Sequence, residues 1–153
     1  MVKLVIQRAK SGSVTVDGKI VGQIGQGIVV LVGIHRDDKP EDLDWAVQKM
    51  LNYCMWPADD DKPWRKSVMD IDGGVLLVSQ FTLYARPNGR KPDFSHSMGP
   101  EGATQLYNLF VEKVKAAYKP EKIQTGEFGA MMDVALVNDG PVTMIFDTLN
   151  KKG

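Results

Sequence analysis

The run Ile28-Val29-Val30-Leu31-Val32-Gly33-Ile34 has no polar position. A strand with one face in water alternates apolar and polar residues, whereas a run without alternation needs cover on both faces. It is too short to span a bilayer. It therefore predicts a central strand, and the rest of the chain must supply a layer for each side. A second such run, Gly74 to Tyr84, predicts another central strand. With 153 residues, the chain is long enough for one domain with a substantial core, and residues 1–153 are read as that single domain.

Around these runs the elements follow from local pattern. Residues 2–9 read as a strand. Val14-Thr15-Val16 and Lys19-Ile20-Val21 flank Asp17-Gly18, a two-residue hairpin signal. Leu43, Ala46, Val47, Met50 and Leu51 recur at helical spacing behind Pro40, predicting a helix over 40–51. Ala103, Leu106, Phe110, Val114 and Ala117 predict a second over 101–118. Residues 53–56, 122–125, 132–137 and 142–147 read as strands, and Arg86 to Pro100, rich in proline and glycine, as a long irregular loop. Strands, helix, strands, helix, strands predict an α+β domain: a curled mixed or antiparallel sheet, a partial barrel, with two main helices.

Composition excludes some functions. With 19 basic and 19 acidic residues, the chain is not a general polyanion binder, so any nucleic-acid contact must use local clusters. Three exist: Lys62, Arg65 and Lys66; Arg86, Arg90 and Lys91; and Lys113, Lys115, Lys119 and Lys122. The third reads as solvated surface. The second directly follows the end of the second central strand and is the candidate nucleic-acid-contacting cluster. The single cysteine, Cys54, reads as a packing residue and fits a reducing, cytoplasmic location. No signal peptide or membrane-spanning run is read, and no Cys/His cluster calls for zinc. Asp59-Asp60-Asp61 matches no calcium loop. Neither a metal nor a cofactor is expected.

Two short runs carry the chemistry. Ser79-Gln80-Phe81-Thr82-Leu83-Tyr84-Ala85 and Asn138-Asp139-Gly140-Pro141-Val142-Thr143 each end a buried strand in a polar turn. With His35 and His96 the only histidines, no Ser/His/Asp set is evident. Thr82 is the available nucleophile, but no base to activate it is evident, and a positioning role is the other reading. Backbone groups are left to do the work.

Both runs resemble those of the D-aminoacyl-tRNA deacylase family. Val5-Ile6-Gln7-Arg8, Ser13-Val14-Thr15-Val16, Asp44-Trp45, Thr125-Gly126 and Phe128-Gly129-Ala130 followed by Met132 extend the resemblance over essentially the whole chain. A related subclass carries a Pro-Gln-Ala-Thr type run in the first motif; Ser79-Gln80-Phe81-Thr82 is similar to the D-selective class. The resemblance implies a homodimer with active sites at the subunit interface. It implies hydrolysis of the ester joining a D-amino acid to the 3′-terminal adenosine of tRNA, with glycine also cleaved. Ser79, Gln80, Phe81 and Thr82 would form the catalytic run, and Gly140, Pro141, Asn138 and Met132 would bind substrate and select its hand. Gly140-Pro141 would be cis and enter the partner's site, where its carbonyls exclude L side chains. The 2′-hydroxyl of the tRNA would assist the chemistry. Asp93, where serine is commoner, and the segment around Trp64 depart from the pattern.

Overall fold

A computed structural model describes residues 2–149. The elements are β1 (Lys3–Val16), β2 (Lys19–Ile24), β3 (Gly27–Gly33), α1 (Pro40–Asn52), β4 (Gly74–Ser79), β5 (Arg86–Asn88), β6 (Lys91–Asp93), α2 (Pro100–Ala117), β7 (Ile123–Thr125) and β8 (Asp133–Asp147). Short 3₁₀ turns cover Phe81–Tyr84 and Pro120–Lys122. The fold is α+β, with two main helices and a mixed sheet curled toward a barrel.

β1 organises the sheet. On one side it pairs with β8 from Lys3↔Asp147 to Thr15↔Asp133. On the other it pairs first with β3, from Lys3↔Gly33 to Ala9↔Gly27, and then with β2, from Gly12↔Ile24 to Val16↔Lys19. The β1–β2 turn is Asp17-Gly18 as expected, both residues having positive φ. β4 lies parallel to β3, and β7 parallel to β4. The curl brings β2 back beside β7: a Cβ on Gly22 would fall 2.3 Å from the Thr125 carbonyl oxygen, so only glycine permits this approach.

Both faces of β3 are covered, as its unbroken apolar run requires. Ile28, Val30 and Val32 join the helix side of the core with Leu43, Met50, Phe110 and Val114. Val29 joins the barrel side with Ala9, Val14, Ile24, Leu76 and Val78. The helices occupy nearly the predicted spans. Pro40 sits in the first turn of α1, whose opening is closed by Asp42 Oδ2 accepting the Lys39 amide at 3.0 Å. Among the described residues no helix is long and apolar enough to cross a membrane.

Four expectations are corrected. Residues 53–56 form no strand: Trp56 makes one isolated bridge to Lys66. The Gly74–Tyr84 strand stops at Ser79 and continues as a 3₁₀ turn. The Arg86–Pro100 loop contains the β5–β6 hairpin, turned at Gly89. Residues 132–137 and 142–147 belong to one interrupted strand, β8. Cys54 is half-buried, and its thiol lies 3.7 Å from the Asn52 carbonyl oxygen.

Phe110 is the largest side chain with no exposed surface and belongs to the helix-side core. Phe110→Ala is expected to lower unfolding free energy by about 3–5 kcal/mol, measured as a shift in the urea midpoint.

Candidate functional site

The first run lies where the two central strands end. The Gln80 amide donates to the Val32 carbonyl at 2.8 Å, continuing the parallel pairing by one bond. Gln80 then leaves the strand conformation (φ −144°, ψ 87°), and Phe81–Tyr84 wind into one 3₁₀ turn closed by the Ala85 amide on the Thr82 carbonyl at 3.0 Å. The Phe81 and Thr82 amides open this turn, so neither has an acceptor within it. Phe81 is thrown outward, 59% exposed.

The chain then runs through the β5–β6 hairpin and returns over the turn. His35 and Ser97 form an isolated bridge, the Met98 amide donates to Ile34 at 3.1 Å, and the Ser97 hydroxyl donates to the Phe81 carbonyl at 2.9 Å. Between this return and the start of α2 lies a cavity of about 470 Å³ lined by Ser79, Phe81, Phe94, Met98, Ala103 and Phe128, among others. The Phe81 and Phe94 rings meet with centroids 5.0 Å apart at 51°. The lining is mostly apolar and aromatic.

Thr82 Oγ1 accepts a 2.6 Å hydrogen bond from the Gln80 side-chain amide. An amide nitrogen cannot take a proton, so this contact orients the hydroxyl without activating it. Neither histidine serves it. His35 is buried, its Nδ1 accepts the Asp37 amide at 3.1 Å, and burial holds its pKa below the ordinary value. The Nδ1 of His96 lies 3.4 Å from the Ser95 hydroxyl. Among the described residues no group of three His, Cys, Asp or Glu could hold a metal ion.

The second run interrupts the β1–β8 ladder. Gln7 faces Thr143 and Ala9 faces Asn138, so residues 139–142 stand opposite Arg8 alone and are pushed out of the sheet. The Gly140-Pro141 bond is cis. Asn138 braces the loop: its side-chain oxygen accepts the Val142 amide at 2.7 Å, and its amide nitrogen donates to the Thr143 hydroxyl at 3.2 Å. Arg8 clamps it from below. Its Nε donates to the Asp139 carbonyl at 2.8 Å and lies 3.6 Å from the Asp139 carboxylate, while its Nη1 donates to the Met55 carbonyl. Gly140 has φ +142°, and an added Cβ would lie 2.8 Å from Val142 Cγ2 and 3.2 Å from Arg8 Nη2. A side chain there is strained by conformation and by contact.

One chain does not join the two runs. Arg8 pairs with Ile28 and Ile28 with Val75, four strand positions before Ser79. At strand rise that is about 13 Å. Met132 stands apart from both Gly140 and the cavity lining, its sulfur against Gly126. Arg86, Arg90 and Lys91 project from the exposed β5–β6 hairpin beside Phe94. The third lysine cluster is engaged with acids: Lys113 with Asp44 at 2.7 Å, Lys115 with Glu112 at 3.8 Å, and Lys119 and Lys122 with Asp72 at 2.8 and 3.5 Å.

The sequence reading did not single out Arg8, Phe94 or Phe128 for the site. A clue to Arg8 was available, since a charged residue in the middle of a largely apolar strand needs a partner. Phe94 and Phe128 sit in loops whose return to the strand ends no local pattern announces.

A family model described as D-Tyr-tRNA(Tyr) deacylase matches residues 5–147. A Dictyostelium discoideum protein named D-aminoacyl-tRNA deacylase is 49% identical over 150 residues, covering 97% of this chain and 99% of that one. One of the same name from Yarrowia lipolytica is 50% identical over 153 residues, covering 98% and 99%. The solved structure of a c-Myc DNA Unwinding Element Binding Protein superposes with a TM-score of 0.91 at 45% identity, covering 95% of this chain and 97% of that one. With matches of this extent over one continuous fold, the chain belongs to the D-Tyr-tRNA(Tyr) deacylase family.

Proposed function

We propose that this protein hydrolyses the ester bond of D-aminoacyl-tRNA, releasing free tRNA and a D-amino acid. Family membership supports the reaction class. The observation that carries the reading is a site built from backbone at a strand end, where the Thr82 hydroxyl is held by the Gln80 side-chain amide and, among the described residues, by no base. An aminoacyl ester suits such a site. It is already labile, and its ribose presents a 2′-hydroxyl next to the scissile bond. Water attacks the carbonyl carbon, the 3′ oxygen departs with a proton, and the 2′-hydroxyl assists that transfer. The protein orients the ester and offers the Phe81 and Thr82 amides to the developing oxyanion. Ser79 and Gln80 frame the aminoacyl group. The cavity between Phe81 and Phe94 takes the terminal adenine against aromatic faces.

Selectivity in this reading comes from the second run acting in trans. Two copies pair so that each Gly140-Pro141 turn enters the other's cavity, where rigid carbonyls leave no room for an L side chain. Glycine, which has no side chain, passes and is cleaved as well. Two features favour pairing: the turn stands out from the sheet, and β8 exposes Val134, Val137 and Ile145 (38%, 53% and 65%). Asn138 holds the turn, and Met132 backs the neighbouring Gly126 segment. Arg86, Arg90 and Lys91 receive the phosphates of the acceptor end, and the protein works in the cytoplasm as a single domain.

A second reading follows from the solved relative named for binding a DNA element. A non-catalytic nucleic-acid binder using the β5–β6 hairpin would bind tRNA in a salt-dependent way without turnover. Incubation with D-Tyr-tRNA and L-Tyr-tRNA separates the two: the deacylase reading expects release of tyrosine from the D form alone. Equal rates on both, or no release from either, would overturn it. Gly140→Ala, which displaces the turn from its Arg8 clamp, is expected to cut kcat about a hundredfold while the sedimentation behaviour stays that of the parent protein. Thr82→Ala is expected to keep kcat within about tenfold, less than the loss of a positioned acid, base or nucleophile produces. Complete inactivity of the folded variant would restore Thr82 as nucleophile.

A further inference from the structure

The 3₁₀ turn that carries Phe81 and Thr82 is only four residues long, and its outer end is mostly exposed. A turn so short holds its amides in place only if its inner end is fixed. That end is Tyr84, 7% exposed, with its ring packed edge-on against His35 at 5.1 Å. The Tyr84 hydroxyl donates to Asp147 Oδ1 at 3.2 Å. Asp147 is the last residue of β8 and the cross-strand partner of Lys3 on β1. Lys3 reaches the same cluster from the other side. Its Nζ donates to the Leu83 carbonyl at 3.2 Å, lies 3.9 Å from Asp147 Oδ2 and sits 4.9 Å above the Tyr84 ring. Two successive residues of the turn are thus tied to a charge pair at the end of the β1–β8 ladder.

The opposite side of the turn is equally close-set. A Cβ on Gly33 would fall 2.7 Å from Leu83 Cβ and 3.3 Å from the Gln80 carbonyl oxygen, so the turn rests directly on the β3 backbone. With one side against a strand and the other against Lys3 and Asp147, Leu83 and Tyr84 have little freedom. Any shift there moves the peptide units of Phe81 and Thr82.

We propose that Lys3, Tyr84 and Asp147 are positioning residues of the deacylase reaction, setting the orientation of the Phe81 and Thr82 amides from behind. The proposal rests on the deacylase reading. Burial and the neighbouring Asp147 raise the Tyr84 pKa above its ordinary value, so the hydroxyl remains a donor throughout the working pH range. None of the three residues lines the cavity, so loss of the cluster is expected to act on the chemical step.

Tyr84→Phe removes only the hydroxyl and keeps the buried ring. Asp147→Ala removes the acceptor, whereas Asp147→Asn keeps an oxygen acceptor and loses only a distant, partly exposed ion pair of small worth. Lys3→Met keeps the stem and removes the donor to Leu83. With D-Tyr-tRNA as substrate, Tyr84→Phe, Asp147→Ala and Lys3→Met are expected to lower kcat about tenfold with KM within about twofold, and Asp147→Asn to recover most of the loss. Wild-type kcat in Tyr84→Phe, or Asp147→Asn as slow as Asp147→Ala, would overturn the proposal. A second measurement does not depend on turnover. In ¹⁵N–¹H spectra of Tyr84→Phe, the Phe81 and Thr82 amides should shift and exchange faster while the β3 amides hold still; unmoved amides would also overturn it. If the parent protein leaves D-Tyr-tRNA intact, the deacylase reading falls, and the spectra alone decide whether the cluster fixes the turn.

Discussion

Strand β1 is the constraint on which the rest depends. Its fourteen residues pair with β8 on one edge and with β3 and then β2 on the other. A strand hydrogen-bonded on both edges has no freedom to slide, because a one-residue slip would turn its buried side chains outward. Leu4, Ile6, Ala9 and Val14 are all fully buried, so the register is held by packing as well as by the ladder. The break opposite Arg8 is therefore a fixed feature of the sheet. Residues 139–142 have nowhere to go but outward, and the guanidinium below them supplies donors that the missing β1–β8 bonds would have used.

The same logic places the cavity. β3 is covered on both faces and paired on both edges, so its only accessible backbone lies at its ends. At the carboxyl end, Gln80 takes one last bond to Val32, and the chain must then turn. The 3₁₀ turn is the shortest way to do this, and it leaves its leading amides without acceptors. In the proposed site these amides would serve as rigid donors beside an apolar cavity, where an oriented dipole stabilises developing charge more than it does in water. A labile ester needs little more, which explains how a site with an unactivated threonine and a buried, neutral histidine can serve as a catalyst.

Local signals were legible where local chemistry decides. Asp17-Gly18 turned as its φ preferences require, and the two helices follow their apolar spacing. The misreadings occurred where tertiary context prevails. Phe81-Thr82-Leu83-Tyr84 has the β-branched and aromatic composition of a strand, yet no strand is left for it to pair with. Pro87 and Pro92 argued for loop, but they face each other in the hairpin, at a position where the ladder asks neither for an N–H. Both catalytic-looking runs were visible as motifs. Their supports were not, because Arg8, Phe94 and Asp147 reach them from 131, 13 and 63 positions away, separations on which no sequence window reports.

Register also bears on how the two runs cooperate. The exposed turn of β8 stands at the level of Ile28 and Val75, while the cavity opens beyond Val32 and Ser79. No bending of a doubly paired sheet brings these levels together within one chain, and the cavity lining includes no residue from 138–143. A turn this well braced, by Asn138 from within and Arg8 from beneath, is too costly a feature for a loop facing only solvent. Its order is accounted for if it is a rigid insert for a second copy's cavity. In the proposed pairing each copy would supply a pocket and a gate, but never to the same site. In such an arrangement a monomer holds every residue needed for chemistry and none of the geometry needed for selecting the hand of its substrate.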